Sequence, residues 1–477
     1  MTLLWTTDDL IAAMGGRPFG NLPEGITGVS IDTRTLKPGE AFFAIRGDRF
    51  DGHDFATHAM AAGASVIVVS EERLPALGRL AIAKIVVPDV LRALEKLAVA
   101  ARARSRARIV AVTGSAGKTT TKEMLRTALQ VAGPVHAAEG SFNNHWGVPL
   151  TLARLPLDAR YGVFEIGMNH AGEIEPLVKM VQPHVAVVTM VAGAHLGHFS
   201  SLEDIARAKA EIFSGLVPGG QAIINRDDPR WNLLAKMAMD MGVENVWGFG
   251  ENPRAQFRLV SWEPDDTGST ITVRIAGQEI TGRIGAPGRH MVQNALAVLG
   301  AGYLVGADVP EMLNALAMFQ PAEGRGRRYR LRHPDGGDFT VIDESYNANP
   351  ASMRAALQLL SAAPVPEGGR RIAVLGDMLE LGEHSARLHE ALGELVSQAK
   401  ADLLLIAGDE MKALAAKPPA DVHVEYRETA ADLEPILLQT VRPGDTIVVK
   451  SSKSAGFSKL VKALLAHFPP VDAADDA

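Results

Sequence analysis

Residues 109–121, Ile-Val-Ala-Val-Thr-Gly-Ser-Ala-Gly-Lys-Thr-Thr-Thr, constrain the chain more than any other segment. An apolar, β-branched run enters a short glycine-bearing turn. Gly117-Lys118-Thr119 then opens a helix-compatible stretch, Lys122-Glu123-Met124-Leu125-Arg126. Such a strand–loop–helix unit cradles phosphate: N–H groups at the helix start face an anion, an ammonium reaches phosphate oxygens, and a hydroxyl can hold Mg²⁺. Gly114, Ser115, Ala116, Gly117, Lys118, Thr119 and Thr120 are therefore the expected nucleotide-binding residues, with a nucleoside triphosphate as cofactor. The loop is contracted. A full cradle has a glycine five positions before Gly117, where this chain has Val112; the nearest, Gly114, is three positions before. A plain glycine turn with a surface lysine is the competing interpretation. It is less favoured because strand, glycines, lysine and threonine fall in the required order.

At 477 residues the chain exceeds what one hydrophobic core serves, and its length predicts about three domains. Residues 1–103 carry short strands near 39–45 and 65–69 and a helix near 89–104. Residues 104–318 alternate apolar runs, at 109–113, 162–167, 185–191 and 221–225, with helical or loop segments. This is the pattern of a parallel sheet with crossover helices. An antiparallel-looking piece at 256–285 interrupts it, and a helix is expected over 289–304. Residues 319–477 alternate again, with strands at 339–343, 371–375, 402–406 and 445–449. They look like a second doubly wound, Rossmann-like unit without the Gly-x-Gly-x-x-Gly fingerprint. The expected class is α/β in three domains, the central one a phosphate-loop ATPase domain with a mostly parallel sheet. The polar end, Asp472 to Ala477, is expected to lack fixed structure.

Composition removes several classes. The chain has no cysteine, which excludes disulfides, thiolate metal sites and a cysteine nucleophile and fits a reducing cytoplasm. A net charge of −7 opposes general nucleic-acid binding. The basic run from Arg102 to Arg108 reads as a solvated helix end and linker. No apolar run approaches the roughly 18 residues of a membrane span, and no secretion signal is evident at the N-terminus. A cytoplasmic monomer is expected.

Ligands of parallel sheets bind beyond the carboxyl ends of strands, so the residues after each apolar run are candidates. Glu165 follows the run at 162–164, where a carboxylate can join Mg²⁺, an ion that prefers oxygen donors. After 185–191 come His195 and His198 in a glycine-bearing loop; metal ligation, acid–base chemistry and plain loop polarity are all open to them. Lys209 borders a helical stripe of Ile205, Ala208, Ile212 and Phe213, and on pattern alone it is a snorkelling lysine. Asn294 stands early in the 289–304 helix. Asp343-Glu344-Ser345-Tyr346-Asn347-Ala348-Asn349-Pro350 closes another strand, with Gly324-Arg325 just before that strand. So many hydrogen-bonding side chains at a strand end point to a ligand.

Taken in order, these segments resemble the Mur ligase family, ATP-dependent amide ligases of peptidoglycan precursor synthesis, over nearly the whole chain. Ser30-Ile31-Asp32-Thr33-Arg34, Gly39 to Gly47 and Asp51-Gly52-His53 resemble the family's UDP-sugar-binding domain, here residues 1–103. The contracted loop from Thr113 to Thr120 is similar to the family's own. Asn143-Asn144-His145-Trp146-Gly147-Val148-Pro149 resembles the segment beside the substrate. Ser345 to Pro350 and Leu375 to Gly382 are the most type-specific matches. The resemblance implies that residues 104–318 bind ATP, and that 319–477 bind the incoming dipeptide and part of the ATP. It implies UDP-N-acetylmuramoyl-tripeptide and D-alanyl-D-alanine as substrates, joined through an acyl phosphate. Ser30, Thr33, Arg34, Asn143, Asn144, Asn347 and Asn349 would then bind substrate. Lys118 would hold phosphate oxygens, Thr119 and Glu165 one Mg²⁺, and His195 a second. Lys209 falls where the family has a carbamylated, metal-bridging lysine. Asn294, Arg325, Asp343 and Tyr346 would meet ATP, and catalysis would fall to Lys118, His195, Lys209 and Arg325. Lys450-Ser451-Ser452-Lys453 departs from the Gly-Ser and Arg that the family often carries. Another amide ligase of the superfamily and a nucleotide-binding scaffold are the competing interpretations; the scaffold would not need Glu165, His195 and Lys209 together.

Overall fold

Each apolar run expected between residues 104 and 225 forms a strand with neighbours on both sides in a nine-stranded sheet. Successive side chains of a strand point to opposite faces. Val110 and Val112 accordingly join one core with Met124, Leu125 and Ala295, while Ile109 and Ala111 join another with Ile174, Leu177 and Val178. Burial on both faces explains why these strands read as continuous apolar runs rather than alternating ones. The computed structural model describes residues 2–193 and 196–471. The expectations for His195 and for Asp472 to Ala477 lie outside the described residues.

From one edge, the central sheet runs Val135–Ala137, Tyr161–Glu165, Arg108–Thr113, Val185–Val188, Gln221–Asn225, Asn245–Gly250, Phe257–Pro264, Ser269–Ile275 and Gln278–Ile284. Pairing is parallel as far as Phe257–Pro264 and antiparallel beyond it. The piece expected to interrupt the sheet therefore extends it: Phe249 pairs with Phe257 and Gly250 with Arg258. The helix Arg289–Leu304 packs its small and apolar residues against one face of this sheet.

The N-terminal unit has a five-stranded sheet, ordered Arg17–Phe19, Lys84–Val87, Val66–Ser70, Ala41–Phe43 and Val29–Ser30, with only the first pairing antiparallel. Asp89 caps the following helix, Val90–Arg104, by accepting from the Arg92 N–H at 2.8 Å. That helix lays Leu94, Leu97 and Ala101 into a core that also takes Leu150 and Ala153 from the helix Gly147–Ala153, so the N-terminal and central units share a wall. The C-terminal unit has six strands: Arg327–Arg332 antiparallel to Asp338–Glu344, then Thr446–Lys450, Arg371–Gly376, Leu403–Ala407 and His423–Arg427 in parallel. Leu196 touches the cores of both the central and C-terminal units, and the Gly197 N–H donates to the Glu380 carbonyl at 2.9 Å. Among the described residues, no helix is long and apolar enough to cross a membrane.

Candidate active site

The chain leaves the carboxyl end of Arg108–Thr113 through residues 114–117 and enters the helix Lys118–Leu129. Gly117 has φ 82°, and a Cβ there would stand 2.5 Å from Asn294 Oδ1, so glycine alone meets both demands. Thr189 closes the other side of the loop, its Oγ1 donating to the Ala116 carbonyl at 2.6 Å. The first N–H groups of a helix have no acceptor within it. The loop thus offers donors and the positive end of a helix dipole to one side. Gly117→Ala is expected to cost about 1–2 kcal/mol from the left-handed backbone alone and to weaken nucleotide binding. Thermal melts with and without an ATP analogue test this; an unchanged melting temperature would contradict it.

Lys118 Nζ donates to the Gly114 carbonyl at 2.7 Å. Burial lowers its ammonium pKa; Glu165 opposes the shift and Arg325 adds to it. Glu165 is 2% exposed and uses both oxygens. Thr119 Oγ1 donates to its Oε2 at 2.7 Å and Asn143 Nδ2 to its Oε1 at 2.6 Å. Two hard oxygen donors, the Thr119 hydroxyl and the Glu165 carboxylate, thus touch beside the phosphate loop. A divalent cation that takes its other ligands from water and phosphate fits such a pair.

The C-terminal unit supplies the opposite wall. Arg325 Nη2 donates to Ser141 Oγ at 3.1 Å, and its guanidinium lies 4.0 Å from the centre of the Tyr346 ring. Asn349 caps the helix Pro350–Ala362 through its Oδ1, which accepts from the Ser352 N–H. Its Nδ2 reaches across to the Ser115 carbonyl at 3.2 Å. Lys450, buried at the end of Thr446–Lys450, donates to Glu344 Oε2 at 3.2 Å and to the Asn347 carbonyl at 2.9 Å. Burial lowers its pKa, with Glu344 opposing. Between these walls lies a cavity of about 500 Å³, within the range of small-molecule sites.

Of the expected residues, Ser115, Ala116, Gly117, Lys118, Thr119, Thr120, Asn143, Glu165, Asn294, Arg325, Tyr346, Asn347 and Asn349 all line this cavity. Others stand elsewhere. Gly114 is off the cavity wall and gives its carbonyl to Lys118. Asp343 is off the wall, its carboxylate accepting from the N–H groups of Gly324 and Ser345 and from Ser345 Oγ. Strand alternation puts the next residue, Glu344, on the cavity side instead. Asn144 is spent at a helix start, its Oδ1 accepting from Trp146 and Gly147. Ser30, Thr33 and Arg34 lie in the N-terminal unit away from the cavity; Arg34 pairs with Asp32 at 2.6 Å. Lys209, on Leu202–Ala210, is 2% exposed and also off the cavity wall. Burial first, then the nearby Lys118 charge, push its pKa well below the usual lysine range. Ser141, Thr189, Gln293, Glu344 and Lys450 also line the cavity, though none was assigned a role from the sequence. Glu344 and Lys450 carried a signal, since both stand at strand ends and Glu344 belongs to the cluster that pointed to a ligand.

Three family matches follow one another along this framework: the Mur ligase family catalytic domain over residues 25–102, the Mur ligase middle domain over 112–302, and the Mur ligase glutamate ligase domain over 327–453. The chain belongs to the Mur ligase family, a three-domain α/β class with mostly parallel sheets. Its relatives include the UDP-N-acetylmuramoyl-tripeptide–D-alanyl-D-alanine ligase of Escherichia coli, 36% identical over 437 residues, which are 91% of this chain and 93% of the relative. The Bacillus subtilis enzyme of the same name is 34% identical over 92% of this chain and 93% of its own length. The crystal structure of MurF from Acinetobacter baumannii matches with TM-score 0.84 at 31% identity, covering 97% of this chain and 99% of that one. The MurF ligase of Thermotoga maritima, solved in complex with ADP, matches with TM-score 0.76 at 26% identity, covering 92% and 96%.

Proposed function

We propose that this chain is an ATP-dependent amide ligase. It adds D-alanyl-D-alanine to UDP-N-acetylmuramoyl-tripeptide, giving the pentapeptide, ADP and phosphate in peptidoglycan precursor synthesis. Relatives of that name at 34–36% identity over nine-tenths of the chain support the assignment. The observation that carries the chemistry is that Lys118 and Arg325, from different units, face one cavity, with Asn349 bonded across it to the phosphate loop. In this proposal residues 1–103 take the UDP-sugar, 104–318 the ATP, and 319–477 the dipeptide and part of the ATP. The chain acts as a cytoplasmic monomer.

A carboxylate is a poor electrophile, so it must be activated before an amine can displace its oxygen. A substrate carboxylate oxygen attacks the γ-phosphorus, the bond to the bridging oxygen breaks, and ADP leaves. The dipeptide nitrogen then attacks the acyl carbon, phosphate departs, and the nitrogen gives up its proton. Phosphoryl transfer of this kind needs alignment and charge neutralisation more than covalent help. Lys118, Arg325 and the loop N–H groups place positive charge where two anions must meet. Thr119 and Glu165 would hold a Mg²⁺, which would supply further neutralisation on the phosphates. Asn294 and Tyr346 border the nucleotide, and Asn143, Asn347 and Asn349 the substrate side. Lys209, behind the cavity wall, would act as a carbamate: its neutral amine would add CO₂ and lose a proton, and the carboxylate-like group would help hold a second Mg²⁺ together with His195.

Purified protein with ATP and Mg²⁺ should release phosphate only when both the UDP-muramoyl tripeptide and D-alanyl-D-alanine are present. Phosphate release independent of either one would overturn the assignment. Glu165→Gln removes one hard donor and should raise the Mg²⁺ concentration for half-maximal rate by about 10–100-fold. A Mg²⁺ titration identical to that of the unsubstituted enzyme would remove Glu165 from the metal site.

A further inference from the structure

Lys122 is fully buried, yet it does not line the cavity. It sits one turn into the helix Lys118–Leu129, within a run of buried residues from Thr119 to Lys122. An ammonium is costly to bury unless its hydrogens are all taken. Here Nζ donates to the carbonyls of Ala138 at 2.6 Å and Gly140 at 2.5 Å, and it pairs with Glu123 Oε1 at 2.8 Å. Two carbonyls accept from the ammonium, and the Glu123 carboxylate beside it balances the charge.

Those two carbonyls belong to a segment that has left the sheet, since the strand Val135–Ala137 ends just before them. Gly140 turns the chain with φ 70°, and the next residues supply two side chains of the cavity wall. Ser141 Oγ receives Arg325 at 3.1 Å and stands 3.4 Å from Thr119 Oγ1. Asn143 Nδ2 holds Glu165 Oε1 at 2.6 Å. One ammonium therefore ties the phosphate-loop helix to the segment that touches the Thr119–Glu165 pair and the arginine of the C-terminal unit.

We infer that Lys122 is a positioning residue: by clamping the Ala138 and Gly140 carbonyls it sets Ser141 and Asn143, and through them the geometry of Thr119, Glu165 and Arg325. This rests on the ligase assignment above. Lys122→Met keeps the volume and removes charge and donors. With the circular dichroism spectrum unchanged, kcat should fall about 10–100-fold and the Mg²⁺ half-saturation should rise by a similar factor, the usual effect of losing a group that orients ligands. The KM for D-alanyl-D-alanine should change less than twofold. Because Lys122 acts through Ser141, Ser141→Ala should lower kcat in the unsubstituted enzyme but have little further effect on top of Lys122→Met. A merely structural lysine would give additive losses and an unmoved Mg²⁺ titration, and that result would overturn the inference. If the methionine variant does not fold, Lys122→Gln, which keeps two donors without the charge, decides by the same measurements. Failure of the unsubstituted enzyme to turn over would instead sink the ligase assignment, so the two failures are distinguishable.

Discussion

Lys118→Ala is expected to lower kcat by about 10²–10³-fold or more, the scale of losing one preorganised charge donor at a reacting oxyanion, while the protein stays folded. The structural loss is small, since the side chain's hydrogen bond is a single donation to the Gly114 carbonyl from a half-buried position. The catalytic loss is large because nothing else in the loop brings a full charge to the phosphates. Burial and Arg325 weaken the ammonium in the free enzyme. An arriving triphosphate favours the charged form again, so the lysine gains most when phosphate is present. Lys118→Arg is not a conservative control, because a planar fork replaces a point charge in a contracted loop. Steady-state turnover with a circular dichroism check measures the effect. A folded alanine variant that keeps turnover would remove the phosphate-loop role.

Much of the fold was legible because buried parallel strands leave continuous apolar runs. The helix Arg289–Leu304 was also read over its full span. Several of the strands that went unread lack that signature for identifiable reasons. Arg327–Arg332 and His423–Arg427 are the two edges of the C-terminal sheet, so neither shows a continuous apolar run. Asn245–Gly250 is interrupted by glycines and is exposed at its start. The site divides in the same way. The phosphate loop is local, so its spacing announces it. Ser141 and Gln293 reach the cavity from distant parts of the central unit and Lys450 from the C-terminal one, and no spacing along the chain encodes that. Asp343 and Glu344 differ by one residue, and only the register of the strand tells which of them faces the cavity.

Lys209→Met should separate stability from activity. A lysine with 2% exposure and a strongly lowered pKa is a cost to the fold near neutral pH. Unfolded, the same amine titrates near its ordinary value of about 10.4. Between the depressed folded pKa and that value, the unfolded chain binds more protons than the folded one, so stability rises with pH across the window and falls as pH drops. Methionine fills similar space without a proton to bind. The variant should therefore melt at or above the temperature of the unsubstituted protein at pH 7, with the advantage shrinking toward pH 10. Activity should move the other way, by about 10–100-fold or more, because the group that would become a carbamate is gone. The lowered pKa is also what supplies neutral amine for CO₂. Unsubstituted enzyme depleted of CO₂ should accordingly regain rate with bicarbonate, while Lys209→Met should not respond. An active methionine variant, or a bicarbonate effect equal in both proteins, would remove Lys209 from the chemistry and leave it as a buried lysine of the helix Leu202–Ala210.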